Sequence, residues 1–331
     1  MARRYLFGPV SPVFADQNLR VARQAGHGCC FGYQPGVDLI VRPADSWQSL
    51  SERLPANGSV DYLVLYLPYT TIPAALWAAP VPIVGLAADW TLLWHSYRRW
   101  LRRCDLVLSD TTGVETLGRE GMAHARAANL YGCERDFLAT APAAGPRDID
   151  VLFVGNLQPA VQRERLAWLG RLARLADRWK VDIVSGVHGE DYRALLRRAR
   201  IVFNHSVRGE CNRRAFEATA AGALLFQEAG NREVADFFED RKECVFYPNA
   251  DLEALLAHYL THEEERRAVA EAGRTRVQQY TFGALWGRNW RRPSAGLRPS
   301  WPAPWCGRRC PWWRRRCRGN SWNSSTCSRG R

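Results

Sequence analysis

The sequence predicts an α/β protein with two parallel β-sheets, each covered by helices on both faces. Short apolar runs alternate with helix-length polar stretches through the first half, and a second series of the same kind follows a linker. The 331 residues, of which 47% are hydrophobic, suffice for about two domains with separate cores. We therefore expect two Rossmann-like, doubly wound domains that face each other across a ligand-binding cleft.

The first domain, residues 1–140, contains six apolar runs that predict strands. They read RYLFGPV, DLIV, DYLVLYL, VPIVGLA, DLVLSD and ARAANLYG. Helices are expected between them, for example over 18–25 and 92–103. Between Asp61 and Asp89 lie 27 uncharged residues, enough to span a bilayer, but four prolines would break such a helix and favour two buried strands instead.

The second domain, residues 149–286, follows the linker ATAPAAGPR. Its predicted strands read IDVLFVGN, VDIVSG, ARIVFNHS, ALLFQEAG and CVFYP, and its main helices are expected over 162–179, 190–199, 212–221, 251–259 and 263–280. Six cysteines scattered through both domains match neither a C-x-x-C pair nor a zinc spacing. Such thiols are typical of a cytoplasmic protein, and no metal site is expected.

Positive charge is concentrated in a C-terminal tail, residues 287–331. The chain carries 46 Lys and Arg against 33 Asp and Glu, a net charge of +13, and 12 of the arginines but no acid lie in 288–331. A basic, tryptophan-rich arm would bind nucleic acid or anionic lipid. The loss of acids and the scarcity of aliphatic residues favour a disordered or out-of-frame tail. No nucleic-acid partner is therefore expected unless the tail is native.

The most informative stretch reads FNHSVRGECNRRAFEATAAGALLFQEAG, residues 203–230. Asn212 is placed to N-cap a helix that follows a strand. The positive end of that helix, beside Arg208 and Arg214, suits a diphosphate. Glu217 lies one turn inside the helix, where its carboxylate would accept hydrogen bonds from ribose hydroxyls. The pattern predicts a nucleoside-diphosphate site.

The alternative is that Arg213 and Glu217, four residues apart, form only a surface ion pair. Against this, the run ATAAGA lets the helix approach the sheet closely at the carboxyl end of a strand. Further candidates for donor binding are expected at the same edge of the sheet: Gly155, Asn156, His205 and Gly230.

The ordered motifs of the second domain resemble group 1 glycosyltransferases of the spore-maturation-protein type. They run VLFVGN, HGEDYRALLRRARIVFN, NRRAFEATAAGALLFQE and QQYTF, over about residues 149–282. The resemblance implies a GT-B fold with a sugar nucleotide in the C-terminal domain, an acceptor in the N-terminal domain, and no metal or other cofactor. It also implies that Glu217 binds the donor ribose and Arg214 the diphosphate. The wider retaining group has two glutamates separated by seven residues, whereas six separate Glu210 from Glu217, so Glu210 is given no sugar-binding role.

Glycosyl transfer also needs a group that deprotonates the acceptor hydroxyl. Asp89 and His95 follow a predicted strand of the first domain and are the candidate catalytic residues. Nearby aromatic side chains would stack on an acceptor: Trp90, Trp94 and Tyr97. Two structural roles stay open, in which Asp89 only caps the following helix and His95 is a core histidine.

We therefore expect a cytoplasmic, metal-independent, retaining glycosyltransferase of polysaccharide biosynthesis. It would move a hexose from a nucleoside-diphosphate sugar to a hydroxyl of a glycan, a lipid or a protein. Peripheral association with a membrane remains an open alternative. Two other functions share the architecture: a sugar-nucleotide epimerase, and an inactive surface-assembly protein that has kept the GT-B fold.

Overall fold

The computed structural model describes residues 4–55, 59–139, 145–206 and 208–291, with side chains up to residue 286. It contains two parallel sheets, of seven and five strands, and this confirms the predicted fold class. The first sheet lies within residues 1–140 and the second within residues 149–286. Most of the expected tail and the middle of the linker lie outside the described residues.

The N-terminal sheet has the strand order β3-β2-β1-β4-β5-β6-β7. Its strands are β1 (Tyr5–Gly8), β2 (Gly28–Gly32), β3 (Leu39–Ile40), β4 (Tyr62–Tyr66), β5 (Ile83–Leu86), β6 (Leu106–Ser109) and β7 (Ala125–Ala127). The helices are α1 (Pro12–Phe14), α2 (Arg20–Gln24), α3 (Trp47–Glu52), α4 (Ala74–Trp77), α5 (Trp90–Trp100), α6 (Thr111–Arg119) and α7 (Arg135–Ala139).

The C-terminal sheet has the order β12-β11-β10-β8-β9. Its strands are β8 (Ile149–Val154), β9 (Val181–Val184), β10 (Ala199–Asn204), β11 (Leu224–Glu228) and β12 (Val245–Tyr247). The helices are α8 (Pro159–Ala173), α9 (Gly189–Arg198), α10 (Arg213–Ala220), α11 (Leu252–Thr261), α12 (Glu263–Val277) and α13 (Phe282–Arg291). Apolar clusters cover both faces of this sheet, as a doubly wound domain requires.

Strand β2 was not expected from the sequence. It reads GCCFG, and glycine has a low preference for strands. The reason for the glycines is close packing, because a Cβ at Gly32 would overlap the backbone oxygen of Val10 and one at Gly28 would lie 3.0 Å from the ring of Tyr5.

The long uncharged stretch between Asp61 and Asp89 folds into β4, α4 and β5. Both strands are buried in the core of the N-terminal domain. Among the described helices, none is long and apolar enough to cross a membrane.

The chain passes between the domains a second time at its C-terminal end. Helix α13 packs its aromatic side chains on the N-terminal domain, with the ring of Phe282 6.1 Å and that of Trp286 5.6 Å from the ring of Phe7. In the other direction, Phe137 on α7 belongs to the core of the C-terminal domain. These exchanged elements hold the carboxyl edges of the two sheets on either side of one cleft.

Candidate active site

The amino end of α10 is open at the carboxyl edge of the C-terminal sheet. Asn212 is the N-cap residue by backbone conformation, but its side chain makes no capping hydrogen bond. Instead its amide exchanges hydrogen bonds of 3.1 Å with the side chain of Asn204 at the end of β10. The N–H group of Ala215 donates to the backbone oxygen of Asn212 at 3.2 Å. This leaves the N–H groups of Arg213 and Arg214 and the positive dipole end of the helix to meet an anion.

Two arginines flank the ring of Phe153 beside this helix end. The guanidinium of Arg214 lies 4.8 Å and that of Arg165 lies 5.4 Å from the ring centre. Arg214 donates to Oδ1 of Asn204 at 2.7 Å, and Arg165 donates from Nε to the backbone oxygen of His205 at 2.8 Å. Neither arginine forms an ion pair with a carboxylate in the described part of the chain. Burial, and then the charge of Arg214, lower the pKa of Arg165 to about 10.

The Nε atom of Arg214 is buried without a hydrogen-bond partner among the described residues. A Cβ atom at Gly155 would overlap the guanidinium of Arg214, so the predicted glycine is required for the arginine to occupy this place. Two partly desolvated positive charges, an orphan donor and a helix amino end therefore converge on one point. Such an arrangement has the charge and the donors that a diphosphate requires.

Arg165 was not predicted from the sequence. It lies inside α8 with no motif around it, and only the packing of α8 on β8 brings it to Phe153.

Glu217 is 5% exposed, so its ion pair with Arg213 is not an exposed surface pair. One carboxylate oxygen lies 3.0 Å from the guanidinium of Arg213, and the other accepts a hydrogen bond of 2.7 Å from the hydroxyl of Tyr192. Arg213 also pairs with Glu134, which precedes α7. The carboxylate is thus held in place one turn from the open helix end.

The remaining predicted donor residues lie at the same edge. The imidazole of His205 packs against Trp168, with 5.1 Å between the ring centres and a tilt of 32°. Burial, and then the charge of Arg165, lower the pKa of His205 to about 4, so the ring is neutral near pH 7. Asn156 is exposed and its side chain accepts from the backbone N–H of Gln158 at 2.8 Å. Gly230 and Arg208 are both exposed, and Arg208 has a left-handed backbone with φ of 52°.

A pocket opens between the two domains next to this region. Its N-terminal wall includes Asp110 and Tyr131, and its C-terminal wall includes Glu210 and Glu233. Oε1 of Glu233 accepts from the backbone N–H of Thr111 at 2.5 Å, and this bond joins the two domains directly. The residues therefore come from the carboxyl edges of both sheets, where the sequence predicts a cleft.

Glu210 is the main residue of the cleft that sequence reasoning set aside. It is 9% exposed, and its carboxyl group has no hydrogen-bond partner among the described residues. Burial, and then the charges of Asp89, Asp110 and Glu233, raise its pKa to about 8. A carboxylic acid is therefore kept largely protonated at neutral pH in the middle of the cleft.

The two predicted catalytic residues have different surroundings. Asp89 is the N-cap of α5 with φ of 51°, but its side chain makes no capping bond. Burial raises the pKa of Asp89, and the hydroxyl of Tyr69 opposes that rise. His95 is exposed in the second turn of α5 and does not line the pocket, so its catalytic role stays a prediction without geometric support.

A family model described as glycosyl transferase-like matches residues 126–286. The matched segment covers 161 of the 331 residues of the chain. It contains the open end of α10, both arginines beside Phe153, and the carboxylates of Glu210 and Glu217. Within the described residues there is no group of three or more His, Cys, Asp or Glu side chains that could hold a metal ion. No curated protein matches the chain.

Solved structures show that the fold is of the GT-B type. An α-glucosyltransferase in complex with UDP-glucose and DNA is 10% identical with a TM-score of 0.61, over 87% of this chain and 98% of that one. Anabaena HepE in complex with UDP-glucose is 12% identical with a TM-score of 0.55, over 87% of this chain and 99% of that one.

A mutant of TarM from S. aureus, in complex with fondaparinux, α-GlcNAc-glycerol and UDP, is 11% identical with a TM-score of 0.51. The match covers 69% of this chain and 54% of TarM, so the chain spans about half the length of that protein. The chain therefore shares its architecture with proteins whose structures contain UDP or UDP-glucose.

Proposed function

We propose that the protein transfers a hexose from a UDP-sugar to a hydroxyl group of an acceptor. The observation that supports this most strongly is the pair Arg165 and Arg214, which lies beside an open helix end without a carboxylate partner in the described chain. Guanidinium groups and helix N–H groups would together stabilise the charge that develops on the departing diphosphate. Glu217, fixed by Arg213 and Tyr192, would hold the ribose.

The transfer would be retaining and independent of a metal ion. The resemblance to group 1 enzymes of the spore-maturation type supports retention. The leaving diphosphate would obtain its positive counter-charge from Arg165, Arg214 and the amino end of α10. Glu210, protonated at neutral pH, would donate a hydrogen bond to the transferred sugar, and Asp89 would take the proton of the acceptor hydroxyl.

UDP is the nucleotide that we propose because HepE, TarM and the α-glucosyltransferase are solved with it. The acceptor class is a glycan, a lipid or a protein, and the reaction would serve polysaccharide biosynthesis in the cytoplasm.

A donor screen tests this function. UDP, UDP-glucose, UDP-N-acetylglucosamine, GDP and GDP-mannose are added separately, and the thermal midpoint is followed, since a ligand that binds the native state raises it. We expect UDP and at least one UDP-sugar to raise the midpoint with EDTA present. NMR of the reacted donor then distinguishes transfer or hydrolysis from epimerisation. Failure of every nucleotide to raise the midpoint would contradict the proposal.

A further inference from the structure

Five buried polar side chains lie together at the carboxyl edge of the C-terminal sheet, where β10 and β11 end. They are Asn204, Ser206, Gln227, Glu228 and Asn231, and none is more than 9% exposed. Asn204 and Gln227 are register partners on the two parallel strands. Polar groups buried in this way cost free energy unless they are hydrogen-bonded, and a fully bonded group of them specifies one arrangement.

The carboxylate of Glu228 is fixed at one end of this group. Its Oε1 accepts from the backbone N–H of Ser206 at 3.1 Å, from the hydroxyl of Ser206, and from Nδ2 of Asn231 at 3.3 Å. Asn231 is held in turn, because its Oδ1 accepts from the backbone N–H of Val234 at 2.9 Å. Burial raises the pKa of Glu228, and the bond from the Ser206 side chain opposes that rise. The second oxygen, Oε2, faces Gln227.

The carboxylate determines which way two amide groups point. Because a carboxylate only accepts, Gln227 turns its Nε2 toward Oε2 of Glu228. Its Oε1 then accepts from Nδ2 of Asn204 at 2.6 Å. This leaves Oδ1 of Asn204 as the acceptor for Arg214, whose Nη1 donates to it at 2.7 Å. Donation therefore runs in one direction, from the arginine to the carboxylate. We call Asn204, Gln227 and Glu228 the relay.

The position of Arg214 depends on the direction of the relay. Among the described residues its guanidinium hydrogen-bonds Asn204 alone, and it packs on the ring of Phe153 at 4.8 Å. If the two amides were reversed, Nδ2 of Asn204 would face Nη1 of Arg214, and two donors would repel each other. The guanidinium would then leave its place beside the amino end of α10.

We propose, resting on the UDP binding proposed above, that the relay residues Asn204, Gln227 and Glu228 are positioning residues of the donor site. They act through Arg214 and not by contact with the nucleotide. The relay holds the guanidinium in place before UDP binds, so less conformational freedom is lost on binding. Glu228 thus orients a phosphate-binding arginine without forming an ion pair with it.

Glu228→Gln tests the relay with a side chain of the same shape. Two N–H groups, from Ser206 and Asn231, face Oε1, so the new amide places its oxygen there and its NH2 group toward Gln227. Gln227 must then turn its oxygen to that NH2 group, and the amide of Asn204 is reversed. We expect UDP to bind this variant about fivefold to tenfold more weakly by isothermal titration, because the guanidinium loses its acceptor.

Thr219→Val is the matched control. Thr219 is also buried, on α10, and its hydroxyl donates to the backbone oxygens of Phe216 and Ala215 at 2.9 and 3.0 Å. The substitution removes a buried hydroxyl without touching the relay. Whatever its effect on the thermal midpoint, it should leave the affinity for UDP unchanged.

Exchange of the two neighbouring side chains tests the direction of the relay. In the double variant that combines Gln227→Glu with Glu228→Gln, the carboxylate accepts from Asn204 and from the new amide, whose oxygen accepts from Ser206. Asn204 therefore keeps its orientation, and we expect an affinity for UDP within about twofold of the wild type. A purely structural role gives no reason for the second substitution to restore the affinity that the first removes.

The Arg214→Ala background separates positioning from a general effect on the fold. If the relay acts through Arg214, Glu228→Gln causes no further loss of UDP affinity in a protein that already lacks the arginine. A general effect on the fold would lower the affinity by the same factor in both backgrounds.

Each outcome decides the inference. Equal UDP affinities of the wild type and Glu228→Gln would overturn it, and so would an equal loss in the double variant or in the Arg214→Ala background. If Glu228→Gln does not fold, Gln227→Met replaces it with the same expected loss, since it breaks the relay and leaves the bonds between Ser206 and Glu228 in place. Failure of the wild type to bind UDP would refute the proposed function, whereas wild-type binding with unchanged variants would refute the relay alone.

Discussion

At the scale of single residues, the cleft has two arginines on its donor side and a buried carboxylic acid on its acceptor side. On the donor side, Arg165 and Arg214 are positive and lack carboxylate partners in the described chain. On the acceptor side, Glu210 is buried among Asp89, Asp110 and Glu233 and is kept largely protonated. A nucleoside diphosphate would fill the first environment, and sugar hydroxyls would fill the second.

Glu210→Gln tests the protonation of Glu210 through stability. Its pKa of about 8 in the folded state lies above the ordinary value of 4.5, so the folded state disfavours the ionised form. The stabilisation present below the ordinary value is therefore lost as the pH rises through about 8. We expect the variant to be more stable than the wild type at pH 9 by about 1 kcal/mol or more, a midpoint difference of about 2–4 °C, and equally stable at pH 4.

Thermal unfolding at both pH values measures this difference. Glu264→Gln is the control, since Glu264 is exposed on α12 and should change the midpoint at neither pH. If the thermal midpoints of the wild type and Glu210→Gln are equal at pH 9, the ionisation of Glu210 does not destabilise the folded protein, and the prediction is wrong.

Gly155→Ala tests the position of Arg214 without removing its charge. The added methyl group would overlap the guanidinium and displace it from Phe153. We expect UDP to bind about tenfold more weakly, because a charge-assisted contact is worth about 1.5–3 kcal/mol. Gly170→Ala on α8 adds the same methyl group into open space and should leave the affinity unchanged. An equal affinity for both variants would disprove the predicted role of Gly155.

Sequence reasoning found the residues that share one motif and missed those that depend on packing. Asn212, Arg214 and Glu217 are close in the chain, so helical geometry alone brings them to one site. Arg165 comes from a different helix, and its position depends on how α8 lies on β8. Glu210 was set aside on a spacing argument, whereas its burial between two domains is a property of the tertiary structure.

At the scale of elements, α10 is a helix whose N-cap side chain leaves the helix end uncapped. The side chain of Asn212 is engaged with Asn204, so the first N–H groups lack the partner that an asparagine usually supplies. The loss of a side-chain cap costs a helix about 0.5–2 kcal/mol, so the engagement of Asn212 with Asn204 lowers the stability of α10.

Asn212→Asp tests this exchange between stability and binding. An aspartate at the amino end interacts favourably with the helix dipole, by about 0.3–1 kcal/mol, but repels a diphosphate placed there. It also loses the donor that meets Asn204. We expect the thermal midpoint of the free protein to change little and UDP affinity to fall about tenfold or more. If Asn212→Asp and the wild type have the same affinity for UDP, the diphosphate does not lie at this helix end.

Among the elements, the runs that were predicted most accurately are the buried strands of the C-terminal domain. Strands β8, β10 and β11 each contain an uninterrupted apolar run, VLFV, IVF and LLF, which is typical of parallel strands covered on both faces. Strand β2 could not be predicted from its own residues. Its glycines are required by close contacts with residues that are distant in the chain, such as Val10. The expected helix over 162–179 begins earlier, at Pro159, and ends at Ala173.

At the scale of the whole molecule, the cleft depends on elements exchanged between the domains. Trp286 on α13 is 6% exposed and packs on Tyr5 and Phe7 at the centre of the N-terminal sheet. Phe282 stacks beside it at 6.1 Å. The composition of this part of the chain did not indicate the packing, because α13 runs into the basic tail, which begins at residue 287.

Trp286→Ala should therefore destabilise the protein by about 3–5 kcal/mol, as expected for truncating a buried large aromatic side chain. Urea denaturation measures the change in the free energy of unfolding. Trp286→Phe keeps a ring at the contact, so its free energy of unfolding should fall by clearly less than that of Trp286→Ala. A midpoint unchanged by Trp286→Ala would mean that α13 does not hold the N-terminal domain.

The central claim is that Arg214 and the amino end of α10 bind the diphosphate of a nucleotide sugar. Isothermal titration of UDP into the wild type, Arg214→Ala and Arg163→Ala tests it most directly, because Arg163 is an exposed arginine on α8. The account predicts millimolar or tighter binding to the wild type, equal binding to Arg163→Ala, and binding to Arg214→Ala that is weaker by about tenfold or more. Unchanged affinity in Arg214→Ala, or no binding of UDP by the wild type, would contradict it.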